Sequence, residues 1–190
     1  AMHSTREELL AQQAFELDLP LTIVKIPYPC TNEIYEQRMA ECIQAARAQN
    51  ITHMAFGDLY LEEIRDYRLK MLTGTGITPV FPLWGISTTD LAARLISLGF
   101  KAIVTCVDTK KLPQSFVGRS YDASFLTDLP PNIDPCAENG EFHTFVYSSP
   151  NFRNPLKVKV GEIVRREGFC FADVVNGANN LGQDCQQTMR

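Results

Sequence analysis

Residues 51–83 read ITHMAFGDLYLEEIRDYRLKMLTGTGITPVFPL, and their pattern decides the fold class. A compact apolar run over residues 51–56 ends at Gly57-Asp58. Residues 60–73 then repeat apolar side chains at helical spacing (Leu61, Ile64, Tyr67, Leu72) and stop at Gly74 and Gly76. Residues 78–83 form a second short apolar run. Two strands without polar alternation, joined by an amphipathic helix, predict a parallel βαβ crossover, because helices then cover both faces of the sheet.

The same alternation extends outward. Residues 5–17 carry Leu9, Leu10, Ala14 and Leu17 at helical spacing, with Thr5 and Glu8 set as a capping box. Residues 21–26 read as a β-branched strand closed by Pro27 and Pro29, and Thr31, Asn32 and Glu33 start a helix that runs to about Ala48. Residues 87–98 predict a helix capped by Ser87 or Thr88 and ended by Gly99, and residues 102–107 a buried strand. The expectation is a doubly wound parallel α/β domain over residues 1–110. Ligands should bind at the carboxyl ends of its strands, in the loops around Pro27, Gly57-Asp58, Trp84 and Lys111. Past residue 110 turn residues cluster, and shorter alternating runs at 141–147, 156–164 and 169–173 predict a smaller α+β portion with hairpins over residues 111–175. Residues 176–190 are polar and unpatterned, as in a flexible tail.

Composition narrows the function classes. Over 190 residues the formal charge is -4, with 45% hydrophobic and 21% charged residues, values of an ordinary globular protein. No run of Lys and Arg offers the clustered positive surface that binding a nucleic-acid backbone requires. No apolar stretch approaches the ~20 residues that cross a bilayer, so the expected setting is cytoplasmic, without a membrane partner. The six cysteines show neither a CxxC pair nor Cys/His ligand spacing; reduced thiols are expected, and no protein metal site.

The densest polar cluster is Cys136-Ala137-Glu138-Asn139-Gly140-Glu141-Phe142-His143-Thr144. Asn139-Gly140 signals a turn, and the alternating strand after it puts Glu141, His143 and Phe145 on one face. Two carboxylates and an imidazole so placed can hold a cationic group or move a proton; a solvated hairpin tip is the competing reading. In the second cluster Gly57 would let a ligand approach the backbone and Asp58 would cap the following helix. Arg65 and Arg68 either face a ligand or form a salt-bridged surface with Glu62. Trp84, the one tryptophan, is core or ligand platform. Arg119, in Gly118-Arg119-Ser120, can grip an anion or pair on the surface. His53 reads as structural. Nothing basic adjoins Cys136 in sequence to make it a nucleophile.

Taken in order, Met2-His3, Pro27-Tyr28-Pro29-Cys30-Thr31-Asn32-Glu33, Gly57-Asp58 with Arg65 and Arg68, Pro82-Leu83-Trp84-Gly85, Gly99-Phe100-Lys101-Ala102, Gly118-Arg119 and Glu138-Asn139-Gly140-Glu141-Phe142-His143-Thr144-Phe145 resemble the diphthine–ammonia ligase family, in a bacterial dialect. The resemblance implies a HUP-type (adenine nucleotide alpha hydrolase) fold and an ATP pyrophosphatase chemistry: ATP and Mg2+ activate a carboxylate as an acyl-adenylate, and ammonia displaces AMP. It implies Met2, His3, Gly57 and Asp58 near the nucleotide, Glu138, Glu141 and His143 as catalytic groups, and Asn139, Thr144, Arg119, Trp84, Arg65 and Arg68 toward a carboxylate-bearing acceptor. The family usually opens with a Ser-Gly-Gly-Lys-Asp-Ser phosphate loop that these residues do not contain, and Ala137 stands where many relatives have Gly. The expected ligase activity therefore depends on an upstream segment, or on a sheet rebuilt with another chain, a homodimer being one such pairing. The alternatives are a non-catalytic nucleotide- or metabolite-binding module and a tRNA-modifying relative.

Overall fold

The computed structural model describes residues 5–177; Met2, His3 and the tail from residue 178 on, Cys185 included, lie outside the described residues. In chain order the elements are α1 (Glu7–Glu16), α2 (Asn32–Ala48), β1 (His53–Ala55), α3 (Glu62–Leu72), β2 (Thr78–Val80), α4 (Thr88–Ser97), β3 (Lys101–Asp108), a 3-10 turn (Gln114–Phe116), α5 (Ala123–Asp128), β4 (Phe142–Ser148), β5 (Val158–Arg166) and β6 (Phe169–Asn176). They form two compact units, Thr22–Ile86 and Ala1–Leu21 with Ser87–Arg190. The mixture is α/β, with one parallel and one antiparallel sheet. Among the described residues no helix is long and apolar enough to cross a membrane.

In the unit Thr22–Ile86 the expected crossover is present. β1 and β2 pair in parallel, His53 opposite Thr78 and Ala55 opposite Val80, and α3 connects them. Thr31 accepts from the amide of Ile34 and so starts α2. Ile43, Leu72 and Ile77 form the buried core, flanked by Met54, Phe56 and Met71. Residues 21–26, expected as a strand, have no strand partner among the described residues: Leu21, Ile23 and Ile26 remain more than two-fifths exposed, at 45%, 43% and 42%. β propensity alone does not satisfy backbone amides, which need a neighbouring strand.

The other unit is built on a four-stranded sheet of order β4-β3-β6-β5, antiparallel throughout. Here the structure corrects the single doubly wound parallel sheet expected over residues 1–110. β3 pairs antiparallel with β4 (Ile103 opposite Phe145) and with β6 (Val107 opposite Cys170). α1, expected beside the parallel strands, packs on this sheet: Leu9 is fully buried against Ile103, Phe145, Leu156 and Val174. Val104, Val107, Phe142 and Cys170 join a separate cluster with Leu112, Phe116 and Phe125. Adjacent residues of β3 therefore enter different cores, and a strand covered on both faces loses its polar alternation whichever way its neighbours run.

Arg6 fastens α1 by donating to both carboxylate oxygens of Asp173 on β6, at 2.9 and 2.7 Å. The expected Thr5–Glu8 capping box gives way to this: the helix N-cap is Arg6, with no side-chain cap bond. Asp122 caps α5 by accepting from the Phe125 amide at 2.9 Å. Gly118, at φ 79°, passes beneath β5 so closely that a Cβ would lie 3.3 Å from Val160.

Candidate functional site

The turn before β4 is organised by Asp134. Its carboxylate accepts from the amides of Cys136 (3.1 Å) and Glu138 (2.9 Å), while its carbonyl accepts from Ala137 (2.9 Å). This winding places Ala137 in the left-handed region, φ 57°, and Gly140 closes the next turn by donating to the Ala137 carbonyl at 2.9 Å. Both turns serve to bring Glu141 inward. Glu141 is 3% exposed. Its Oε1 accepts from the Asp134 amide (3.4 Å) and from the Asn139 side-chain amide (3.2 Å), and its carbonyl accepts from Asp108 (2.9 Å). Among the described residues its Oε2 is buried and has no hydrogen-bond partner. Lys111 donates to the Asn139 carbonyl at 2.8 Å and ties the loop after β3 to this turn.

β4 then enters the sheet beside a bulge. Thr144 lies opposite Val104 and His143 opposite Cys106, so Thr105 is an extra residue on β3. Thr105 is 1% exposed, and its hydroxyl donates to the His143 carbonyl at 3.3 Å. The bulge thus falls at His143, whose Nε2 is buried, while Thr144 is exposed and Phe142 anchors the strand in the aromatic cluster with Tyr121 and Phe125. The sequence carried no signal for the bulge or for Asp134, which is an ordinary turn residue until its partners are seen. Glu141 and Asn139 are brought into contact; Glu138 is half-buried with its amide held by Asp134.

Cys136 is structural. Its thiol donates to the Thr88 carbonyl at 3.3 Å, and burial, with Asp134 and Glu138 nearby, pushes its pKa up to about 11. A thiol so protonated is a poor nucleophile. Arg119 is held within its own unit by Asp128 at 2.7 Å and lies over the rings of Phe116 (5.1 Å) and Phe125 (5.5 Å).

A second candidate site stands in the unit Thr22–Ile86, at the carboxyl ends of β1 and β2. Phe56, just past β1, stacks on Phe81, just past β2, with centroids 5.6 Å apart. Arg65 lies 4.7 Å over Trp84 and 5.5 Å over Phe81, and Arg68 lies 5.1 Å over Phe56 while its Nε donates to Asp58 at 3.4 Å. Arg65 and Trp84 therefore converge on one ring of the Phe56–Phe81 stack, and Arg68 with Asp58 on the other. Two local expectations are corrected. Asp58 does not cap α3, whose N-cap is Leu61 with no side-chain cap bond; it pairs with Arg68 instead. The Glu62–Arg65 surface pair gives way to ring stacking, and among the described residues the Arg65 Nε is buried with no hydrogen-bond partner. Gly57 has open space where a Cβ would stand, so no close packing demands glycine there.

The chain has relatives of known activity. Residues 87–178 match the diphthamide synthase C-terminal domain, a span that begins at Ser87, where the second unit resumes. The chain is 29% identical over 103 residues to a diphthine–ammonia ligase of Bos taurus and 28% identical over the same length to that of Homo sapiens. Each alignment takes in 52% of this chain and 39% of the relative, so the chain spans about two-fifths of the length of the curated relatives it matches. Through residues 87–178, which include the ENGEFHT turn, the chain is similar to the diphthine–ammonia ligase family.

Proposed function

We propose that this chain forms the acceptor side of an ATP-dependent, cytoplasmic ligase that joins ammonia to a carboxylate as an amide. The observation that carries the reading is the carboxylate of Glu141, buried with one oxygen held by Asp134 and Asn139 and the other lacking a donor among the described residues. A buried, half-satisfied carboxylate is costly unless a ligand supplies the missing N–H or positive charge. Ammonia and a cationic acceptor both do so. In this reading Glu141 orients the incoming nitrogen and takes up its proton as the amide forms, Asn139 fixes the carboxylate, and Glu138, His143 and Thr144 border the acceptor. Trp84, Arg65 and Arg68 give a stacking platform for a planar group, with Arg119 held back by Asp128.

The phosphates of ATP find less here. A triphosphate needs open amides at a helix N-terminus. The helix that follows Gly57-Asp58 begins with Glu62 and Glu63, and Asp58 is engaged with Arg68. The described residues fit an acceptor and a planar base, and they do not fit the triphosphate; a HUP-like sheet is supported here by the single parallel pair β1 and β2.

The test is ammonia-dependent release of AMP by this chain, alone and together with a segment that carries a phosphate loop. Glu141→Gln keeps the shape but removes the charge, and should lower turnover by about a hundredfold while leaving adenosine binding within about twofold. Unchanged turnover would remove Glu141 from the reaction. A second reading, a binding module without catalysis, is favoured by the acidic first turn of α3. It predicts adenosine or AMP binding with no pyrophosphate release from any form of the protein.

A further inference from the structure

Helix α2 carries a pattern that none of this chemistry uses. Glu36, Ala40, Ile43 and Arg47 fall on one face, because eleven residues make about three helical turns. With Tyr67 and Lys70 of α3 they line an open groove of about 540 Å³. Elsewhere on α2 charge is answered locally: Arg38 pairs with Glu41 at 3.1 Å, and Gln37 donates to the same carboxylate. Glu36 and Arg47 have no ion-pair partner among the described residues. They stand about 16 Å apart along the helix, acid toward its N-terminus and base at its last turn, with the small Ala40 between.

This polarity selects the occupant. Arg47 and Lys70 lie in the last turns of α2 and α3, whose carbonyl ends carry partial negative charge, so a free anion there would meet two unfavourable helix ends. An antiparallel helix does not, because it brings its own positive end, and an acidic first turn, to that place. α2 itself is such a helix, with Glu33 and Glu36 in its first turns. A two-fold axis beside Ala40 and Ile43 places each Glu36 against the opposite Arg47, the self-complementarity that a symmetric pair requires. Ala40 lets the two helices approach at ordinary packing distance.

We propose that the groove between α2 and α3 is a homodimer interface, filled by α2 of a second copy lying antiparallel, with Glu36 of each copy paired to Arg47 of the other. Sedimentation of these 190 residues over a micromolar concentration series should then give a mass near twice 21.3 kDa. Glu36→Arg and Arg47→Glu, both at exposed positions, should each weaken the dimer by about tenfold or more, since each sets like charges face to face. The exchanged protein carrying both changes should recover to within about threefold of the parent. Ala40→Trp, at the axis and touching no charge, should also give monomers, with far-UV circular dichroism confirming that each variant folds. A monomer at every concentration, single variants that dimerise like the parent, or a double variant that stays as weak as either single one would each overturn the proposal.

Discussion

Ala137 shows how one residue reports the geometry of its site. The Asp134 carboxylate, by accepting from Cys136 and Glu138, winds the chain so that Ala137 stands at φ 57°. An L-residue with a Cβ loses roughly 1–2 kcal/mol there, because the Cβ crowds the following carbonyl. Glycine has no such penalty but gives the unfolded chain more freedom, which takes back roughly 0.4–1 kcal/mol. Ala137→Gly should therefore stabilise the unit by about 0.5–1 kcal/mol, read as a higher urea midpoint. A lower midpoint would mean that the turn is not wound as described. The same turn delivers Glu141, so a tighter turn should leave acceptor chemistry intact.

At the scale of elements, α1 is held to the sheet by Leu9 and by the Arg6–Asp173 pair, and the pair has a pH signature. The hydrogen bonds from the Arg6 guanidinium, more than its charge alone, hold the Asp173 carboxyl below its ordinary 3.8. A group whose pKa is depressed on folding adds stability above its unfolded value and loses it as pH falls through its folded value. Asp173→Asn should thus lower the urea midpoint near pH 6 and matter progressively less below about pH 4, where the parent is itself being protonated. An equal difference at both ends of that range would show that the contact acts by packing and not through charge. Much of this architecture was legible beforehand. The helices at Asn32–Ala48, Glu62–Leu72 and Thr88–Ser97 follow from local periodicity and, for the first and last, from Thr31 and Ser87 as caps. Strand direction was not, because Lys101–Asp108 is covered on both faces and reads alike in either kind of sheet. The failed strand at residues 21–26 and the unforeseen α5 have the same root: pairing and docking partners lie far away in sequence. At the site, the polar types of Glu141 and Asn139 were legible, whereas their contact and the burial of Glu141 depend on Asp134 and on the extra residue at Thr105. Near Arg65, charge spacing suggested a salt bridge to Glu62, and the rings of Phe81 and Trp84, sixteen and nineteen residues on, took the cation instead.

At the scale of the molecule, the two units differ in what each buries. Among the described residues Thr22–Ile86 has four buried apolar residues, Ile43, Leu59, Leu72 and Ile77, around a two-stranded sheet. The other unit buries two clusters about a four-stranded sheet, among them Phe125, Val104, Val107 and Leu9 with almost no exposure. Stability follows buried apolar area, and regions with thin cores open at lower free energy than regions with thick ones. The smaller unit should therefore unfold first. Trp84 is the only tryptophan and belongs to that unit, so its fluorescence is a private reporter of it. The amides of β3, bonded on both sides by β4 and β6, report the other. In urea the tryptophan emission should shift at a lower midpoint than the one at which the amides of Lys101–Asp108 lose protection from hydrogen exchange. Superimposable transitions would mean that the chain unfolds as a single cooperative body, whatever the size of the core in Thr22–Ile86.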